Sequence, residues 1–218
     1  MNGLVDTRIS GVIFDLDGTL SNTWPPAMAA FRAAIAEFSG RAFSDEELRG
    51  YAGPAEDGIL QELFPEKWEA AFERYLVSFD QRLKDGQIVF PGVLEALELL
   101  RIKGKKMAIV SGKTKKAVEM ALHKGRIDGF FDQVRGGWAG GDRKESDLSA
   151  TIESWGISPS SVAYVGDTQG DVAAARRAGL TAVGVCWAEH AHQRDFDQMA
   201  PDYLFSSTQE LKDWIATL

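Results

Sequence analysis

Short apolar runs separated by longer stretches of helical spacing set the pattern of this chain. Gly11-Val12-Ile13-Phe14, Met107-Ala108-Ile109-Val110, Val162-Ala163-Tyr164-Val165 and Ala182-Val183-Gly184-Val185 are four-residue runs rich in β-branched side chains. Runs of that length and composition read as strands buried on both faces. Between them, Pro91 at a first helical position precedes Leu94, Leu97 and Leu100, with a stop at Gly104, and Asp171 opens a helix that ends at Gly179. Strands alternating with such helices predict an α/β fold, a parallel sheet flanked by helices.

One connection is too long for that scheme. Asp15 closes the first strand and Ser111 follows the second, 96 positions later, whereas a strand–helix–strand unit takes about 30 residues. The excess holds three patterns with helix-start signals. Pro25-Pro26 precedes Met28, Phe31, Ile35 and Phe38. Ser44 and Glu47 form a capping box. Phe64-Pro65 precedes Trp68, Phe72, Tyr75, Leu76 and Phe79. The expected organisation is a core of residues 1–20 and 87–218 with a small helical lobe, 21–86, inserted after the first strand.

Composition narrows the classes of function. The 24 Lys and Arg stand against 32 Asp and Glu, a formal net charge of −8, which argues against a nucleic-acid binder, since phosphate-backbone affinity needs clustered cations. The chain is 44% hydrophobic and 26% charged, enough apolar content for a packed core. Cys186 is the only cysteine, so neither an intrachain disulfide nor a four-thiolate zinc site is expected, and a reducing, cytoplasmic setting is. Neither a signal peptide in the first residues nor an apolar run of about 18 residues is recognised, so no membrane partner is expected.

In a parallel sheet, ligands bind in the crevice outside the strand C-termini, and that is where the chain places its unusual polar residues. Asp15-Leu16-Asp17-Gly18-Thr19 follows the first strand, Ser111-Gly112 the second and Gly166-Asp167-Thr168-Gln169-Gly170-Asp171 the third, while Lys144 is placed in a loop before a helix. Four carboxylates at close range repel one another unless a cation neutralises them. All-oxygen donors imply Mg²⁺, which takes few carboxylates and accepts substrate phosphate as a further ligand. Lys144 and Ser111 supply a charge and a hydrogen bond for phosphoryl oxygens, so the chemistry indicated is phosphoryl transfer.

These residues, Asp15-Leu16-Asp17-Gly18-Thr19, Ser111, Lys144 and Gly166-Asp167-x-x-x-Asp171, resemble in order and spacing the four motifs of the haloacid dehalogenase (HAD) superfamily of phosphatases. The lobe after the first motif looks like a C1-type cap, and phosphoglycolate-phosphatase-like members are the most similar in organisation. The resemblance implies a Rossmann-like parallel sheet flanked by helices. It makes Asp15 the nucleophile that forms an aspartyl-phosphate and Asp17 the group that protonates the leaving oxygen and then deprotonates water. Ser111 would bind the phosphoryl group, Lys144 would hold nucleophile and phosphate together, and Asp167 and Asp171 would anchor Mg²⁺ together with an Asp15 oxygen and the Asp17 carbonyl. Gly18, Thr19, Gly112, Lys113 and, in a cap loop Leu48–Gly53, Arg49 complete the expected substrate-contacting set.

Asp17 favours phosphate esters, because the dehalogenase and phosphonatase branches lack an aspartate there. The expected partner is a small phosphorylated metabolite, and the expected assembly a monomer or homodimer. A phosphotransferase of the β-phosphoglucomutase kind, a pyrophosphatase and a non-catalytic binding protein on the same fold stay open. Gly112-Lys113-Thr114 imitates the end of a nucleotide-binding P-loop, but Met107 stands where that pattern needs glycine. Arg143 and Lys113 are the other basic candidates for the role given to Lys144. Trp24 is read as a pocket wall or a helix staple, and His190 and His192 as surface residues.

Overall fold

The computed structural model describes residues 9–44, 47 and 55–218. Six parallel strands form one sheet in the order β3-β2-β1-β4-β5-β6. They are β1 (Gly11–Phe14), β2 (Lys106–Thr114), β3 (Gln133–Gly137), β4 (Val162–Gly166), β5 (Thr181–Val185) and β6 (Tyr203–Phe205). The α/β class is as expected, and all four apolar runs are strands. β3 and β6 lie at the two edges; β3 carries no continuous apolar run, and β6 is a run of only three residues. The direction in which the chain adds strands reverses between β1 and β4, and this reversal opens the crevice at their C-terminal ends.

Alternation along each strand divides the interior. Val12, Phe14, Met107, Ile109, Ala163, Val165, Val183 and Val185 face one side, covered by α4 (Val93–Ile102), α5 (Lys115–Gly125) and α8 (Thr208–Thr217). Ile13, Ala108, Val110, Val162, Tyr164 and Ala182 face the other, covered by α6 (Lys144–Trp155) and α7 (Gln169–Arg177).

Between β1 and α4 the chain forms α1 (Trp24–Ser39), α2 (Glu56–Leu63) and α3 (Trp68–Arg82). Its entering and leaving segments run side by side: Asn22 N–H donates to the Ile88 carbonyl (2.7 Å) and Phe90 N–H to the Leu20 carbonyl (3.0 Å). Phe31, Leu60, Tyr75 and Phe79 of these helices belong to the same apolar cluster as Phe14 and Leu122. Ser44 and Glu47 exchange the reciprocal bonds of a capping box, Ser44 N to Glu47 Oε2 at 2.8 Å and Glu47 N to Ser44 Oγ at 3.2 Å.

Four boundaries differ from expectation. Helix α2 was not among the expected patterns. Pro91 precedes α4, whose N-cap is Gly92 in a left-handed conformation. Thr168, not Asp171, caps α7, and Asp171 sits at its third position. Strand β2 runs on through Ser111 and Gly112 to Thr114, so these lie in the strand rather than after it.

Candidate active site

Strand β1 ends beside β4, where Asp15 N–H donates to the Val165 carbonyl at 2.9 Å, and the chain then turns sharply through Asp17 and Gly18. Gly18 has φ +76°, and a Cβ there would lie 2.2 Å from Asp167 Oδ2. Only glycine fits this turn without displacing a carboxylate. Thr19 Oγ1 donates to Asp167 Oδ1 (3.3 Å), and Trp187 Nε1 donates to the Thr19 carbonyl (3.0 Å). The first and last motifs are thereby stitched across the edge of the sheet.

At the other end of this cluster, Asp171 completes a capping box with Thr168. Its Oδ1 accepts from Lys144 Nζ at 2.5 Å and from the Tyr164 hydroxyl at 3.1 Å. Lys144 is the first residue of α6 rather than a loop residue, and its Nζ also lies 3.5 Å from Asp15 Oδ1. Arg143 instead bonds Asp147 Oδ1 at 2.8 Å, so Lys144 is the cation at the carboxylates. A Cβ on Gly112 would lie 3.9 Å from Lys144 Cε, which places the β2 edge against the same lysine. Ser111 is buried there and its Oγ accepts from Lys113 N–H at 3.4 Å.

Oxygens of Asp15, Asp167 and Asp171 lie within 4.8 Å of one another, and all three residues are buried. Asp15 Oδ1 has no hydrogen-bond partner. A buried carboxylate oxygen that accepts no hydrogen bond, with one ammonium at 3.5 Å and two further carboxylates around it and no sulfur donor, suits a hard divalent cation. Burial raises the Asp15 carboxyl to about 7; Lys144 opposes the rise and the neighbouring aspartates add to it. Burial likewise raises Asp167, against the bond from His190. For Asp171 the desolvation is outweighed by Lys144 and Thr168, and its carboxyl is held below the ordinary range. Burial disfavours charge on Lys144, yet Asp15 and Asp171 raise its ammonium above an ordinary lysine.

Asp17 is not part of that trio. Its Oδ1 accepts from Thr23 Oγ1, and its Oδ2 is 3.1 Å from Lys113 Nζ. Lys113, expected among the substrate contacts, is buried and pairs also with Glu56 Oε1 at 3.0 Å. Glu56 comes from α2, where sequence reasoning had placed no site residue. A lone glutamate at the start of a helical stretch looks like an ordinary favourable N-terminal charge, and only the fold brings it to Lys113. Burial works against ionised Glu56, but Lys113 and the Thr114 N–H outweigh it and hold its carboxyl below the usual range.

His190 was also missed. Its Nε2 lies 2.9 Å from Asp167 Oδ2, a bond that raises the imidazole above its usual value despite partial burial, so it belongs to the site and not to the general surface. The two residues are 23 positions apart, and no local spacing signals the contact. Trp24 is exposed and its ring centroid is 6.2 Å from that of His190. Arg49 and the rest of the Leu48–Gly53 loop, apart from Glu47 before it, lie outside the described residues.

This fold and site define a class. The chain belongs to the haloacid dehalogenase-like hydrolase family, whose model matches residues 12–185. It is 27% identical over 206 residues to a phosphoglycolate phosphatase of Aquifex aeolicus (strain VF5), with 92% of this chain and 93% of the relative covered. A phosphoglycolate phosphatase of Mannheimia succiniciproducens is 28% identical over 212 residues, covering 91% and 94%. Among solved structures, a predicted phosphoglycolate phosphatase from Haemophilus somnus shares the fold with a TM-score of 0.78 at 23% identity, covering 95% of this chain and 98% of that one. CbbY from Rhodobacter sphaeroides in complex with phosphate has a TM-score of 0.75 at 19% identity, covering 93% and 96%.

Proposed function

We propose that this phosphoric monoester hydrolase is a Mg²⁺-dependent phosphatase that removes phosphate from a small metabolite of the phosphoglycolate kind through an aspartyl-phosphate on Asp15. The observation that carries the reading is the Asp15 carboxylate, buried with one oxygen free of hydrogen bonds, 3.5 Å from Lys144 and clustered with Asp167 and Asp171. Side-chain oxygens of these three aspartates, with the Asp17 carbonyl, would hold the ion. Mg²⁺ bound there supplies positive charge that favours ionised Asp15 and offsets charge on the phosphoryl oxygens.

Asp15 attacks phosphorus, and the bond between phosphorus and the ester oxygen breaks as Asp17 gives that oxygen a proton. Water then attacks the aspartyl-phosphate; Asp17 takes a proton from it, and the bond between phosphorus and the Asp15 oxygen breaks to release phosphate. Lys144 holds the nucleophile and the phosphoryl oxygens together, and Ser111 donates to the latter. Residues 21–86 act as a cap that admits a small substrate and excludes bulk water on closing. Gly18, Thr19 and Gly112 remain the substrate-contacting candidates of the sheet edge, while Lys113 is engaged by Asp17 and Glu56. Among the described residues no helix is long and apolar enough to cross a membrane. The lone cysteine supports a reducing, cytoplasmic setting, and the proposed enzyme works as a monomer or homodimer without nucleic acid.

The test is phosphate release from a panel of small phosphorylated metabolites with Mg²⁺ or EDTA. Wild type should release phosphate only with Mg²⁺, and Asp15→Asn should lose at least about 10³-fold in rate while remaining folded. Activity that survives in Asp15→Asn contradicts the reading. Transfer between sugar phosphates without net phosphate release supports a mutase instead.

A further inference from the structure

The bond network behind Asp17 reaches out of the sheet and into the inserted helices. Lys113 Nζ lies between two carboxylates, 3.1 Å from Asp17 Oδ2 on one side and 3.0 Å from Glu56 Oε1 on the other. The Lys113 side chain is 3% exposed, and its ammonium is 5.0 Å from the centroid of the Phe79 ring. Glu56 is held at both oxygens: the Tyr75 hydroxyl donates to Oε1 at 2.8 Å and Thr114 N–H to Oε2 at 2.8 Å. Asp17 and Lys113 belong to the sheet edge, whereas Glu56 is on α2 and Tyr75 and Phe79 are on α3. Helix α2 is seated there by close backbone contact, since Ala55 N–H donates to the Trp138 carbonyl (3.3 Å) and a Cβ on Gly58 would lie 2.3 Å from the Ala139 oxygen.

A buried ammonium takes the orientation that its carboxylate partners impose. With Glu56 in place, Lys113 is fixed from behind and presents one N–H to Asp17 Oδ2, while Thr23 fixes Oδ1. Without Glu56, the ammonium has one partner and a void on the other side, and the carboxylate it steers loses its set direction. Proton transfer requires the acid within hydrogen-bond reach of the leaving oxygen, so this direction matters to rate.

We propose that Glu56 is a positioning residue that acts through Lys113 to aim the Asp17 carboxyl at the leaving oxygen, so that the acid is fully set only when α2 is seated on the sheet edge. The proposal rests on the phosphatase reading. It assigns Lys113 to the internal link and not to a second anionic group of the substrate. It also gives the inserted helices a part in proton delivery in addition to enclosing the substrate.

The distinguishing measurement is kcat/KM for two substrates, because this constant reports the steps up to departure of the leaving group. One substrate is the alkyl phosphate that wild type hydrolyses fastest, whose leaving alkoxide needs a proton. The other is p-nitrophenyl phosphate, whose leaving phenolate needs almost none. Glu56→Gln, which keeps the size and the acceptor oxygen, should lower the ratio of alkyl to aryl kcat/KM by about tenfold or more, with aryl hydrolysis retained as evidence of an intact site. Tyr75→Phe, which removes one anchor from Glu56 and little volume, should lower the ratio by about threefold and decides the matter if Glu56→Gln does not fold. An unchanged ratio, whether both rates fall together or neither falls, overturns the proposal. Absence of phosphate release by wild type from either substrate overturns the phosphatase reading instead.

Discussion

Asp15 concentrates the electrostatic cost of this site in one side chain. Its folded value of about 7, against an ordinary 3.8, means that between these two values the folded chain keeps a proton that the unfolded chain has released. Stability of the metal-free protein therefore falls as pH rises through that window. His190, raised by Asp167, acts in the same sense: its favourable bond is complete below the ordinary histidine value and is lost as pH rises through the folded one. Asp171 and Glu56, held low, contribute above the ordinary carboxylate value and are fully ionised across the upper part of the window. Thermal unfolding in EDTA should thus show Tm decreasing from pH 5.5 to 8, and added Mg²⁺ should raise Tm more at pH 8 than at pH 5.5. A gain from Mg²⁺ that is flat with pH, or larger at the acid end, would contradict this account of Asp15.

Helix α7 shows how an element's end serves the site. Thr168 accepts from Asp171 N–H, and Asp171 Oδ2 accepts in turn from Thr168 N–H at 3.0 Å, so the bonds that start the helix also fix a carboxylate of the acidic cluster. Thr168→Ala should cost about 1 kcal/mol in urea unfolding, the usual worth of an N-cap. Because Asp171 is then less firmly held, it should also weaken Mg²⁺ binding, measured by titration calorimetry. Loss of stability with Mg²⁺ affinity unchanged would show that the cap serves the helix alone. Helix α6 works differently: its first residue, Lys144, reaches across to Asp171 and Asp15, so the N-terminus of one helix supplies the cation for a carboxylate in the first turn of the next.

For the whole molecule, the important feature is that the inserted helices share an apolar cluster with one face of the sheet. Phe79 is fully buried at that junction and stacks on Tyr75 with centroids 5.8 Å apart. Phe79→Ala should destabilise the chain by about 3–5 kcal/mol. Since the cluster is continuous, tryptophan fluorescence and far-ultraviolet circular dichroism should still report one coincident urea transition. Two separated transitions would show that the inserted helices unfold independently of the sheet.

The buried strands and the motif residues were legible along the chain because local order carries them. β1, β2, β4 and β5 contain apolar runs rich in β-branched residues and covered on both faces; Asp15 and Asp17 come just after one of them, and Asp167 and Asp171 come after another. β3 and β6 were not legible: edge strands need less burial, β3 contains Gly136 and Gly137, and β6 has three residues. Helix α2 was overlooked between stronger helical patterns, and Glu56 with it. The contacts that shape the site cross long stretches of sequence. Glu56 meets Lys113 across 57 positions and Asp167 meets His190 across 23, and a contact of that kind has no period to read. Periodicity and spacing along the chain are enough to set the α/β class, the inserted helical stretch and the line of carboxylates. That Lys113 turns inward to two carboxylates and that His190 joins the acidic cluster follows from folding alone, because burial in a shared interior, not neighbourhood along the chain, sets which charges must pair.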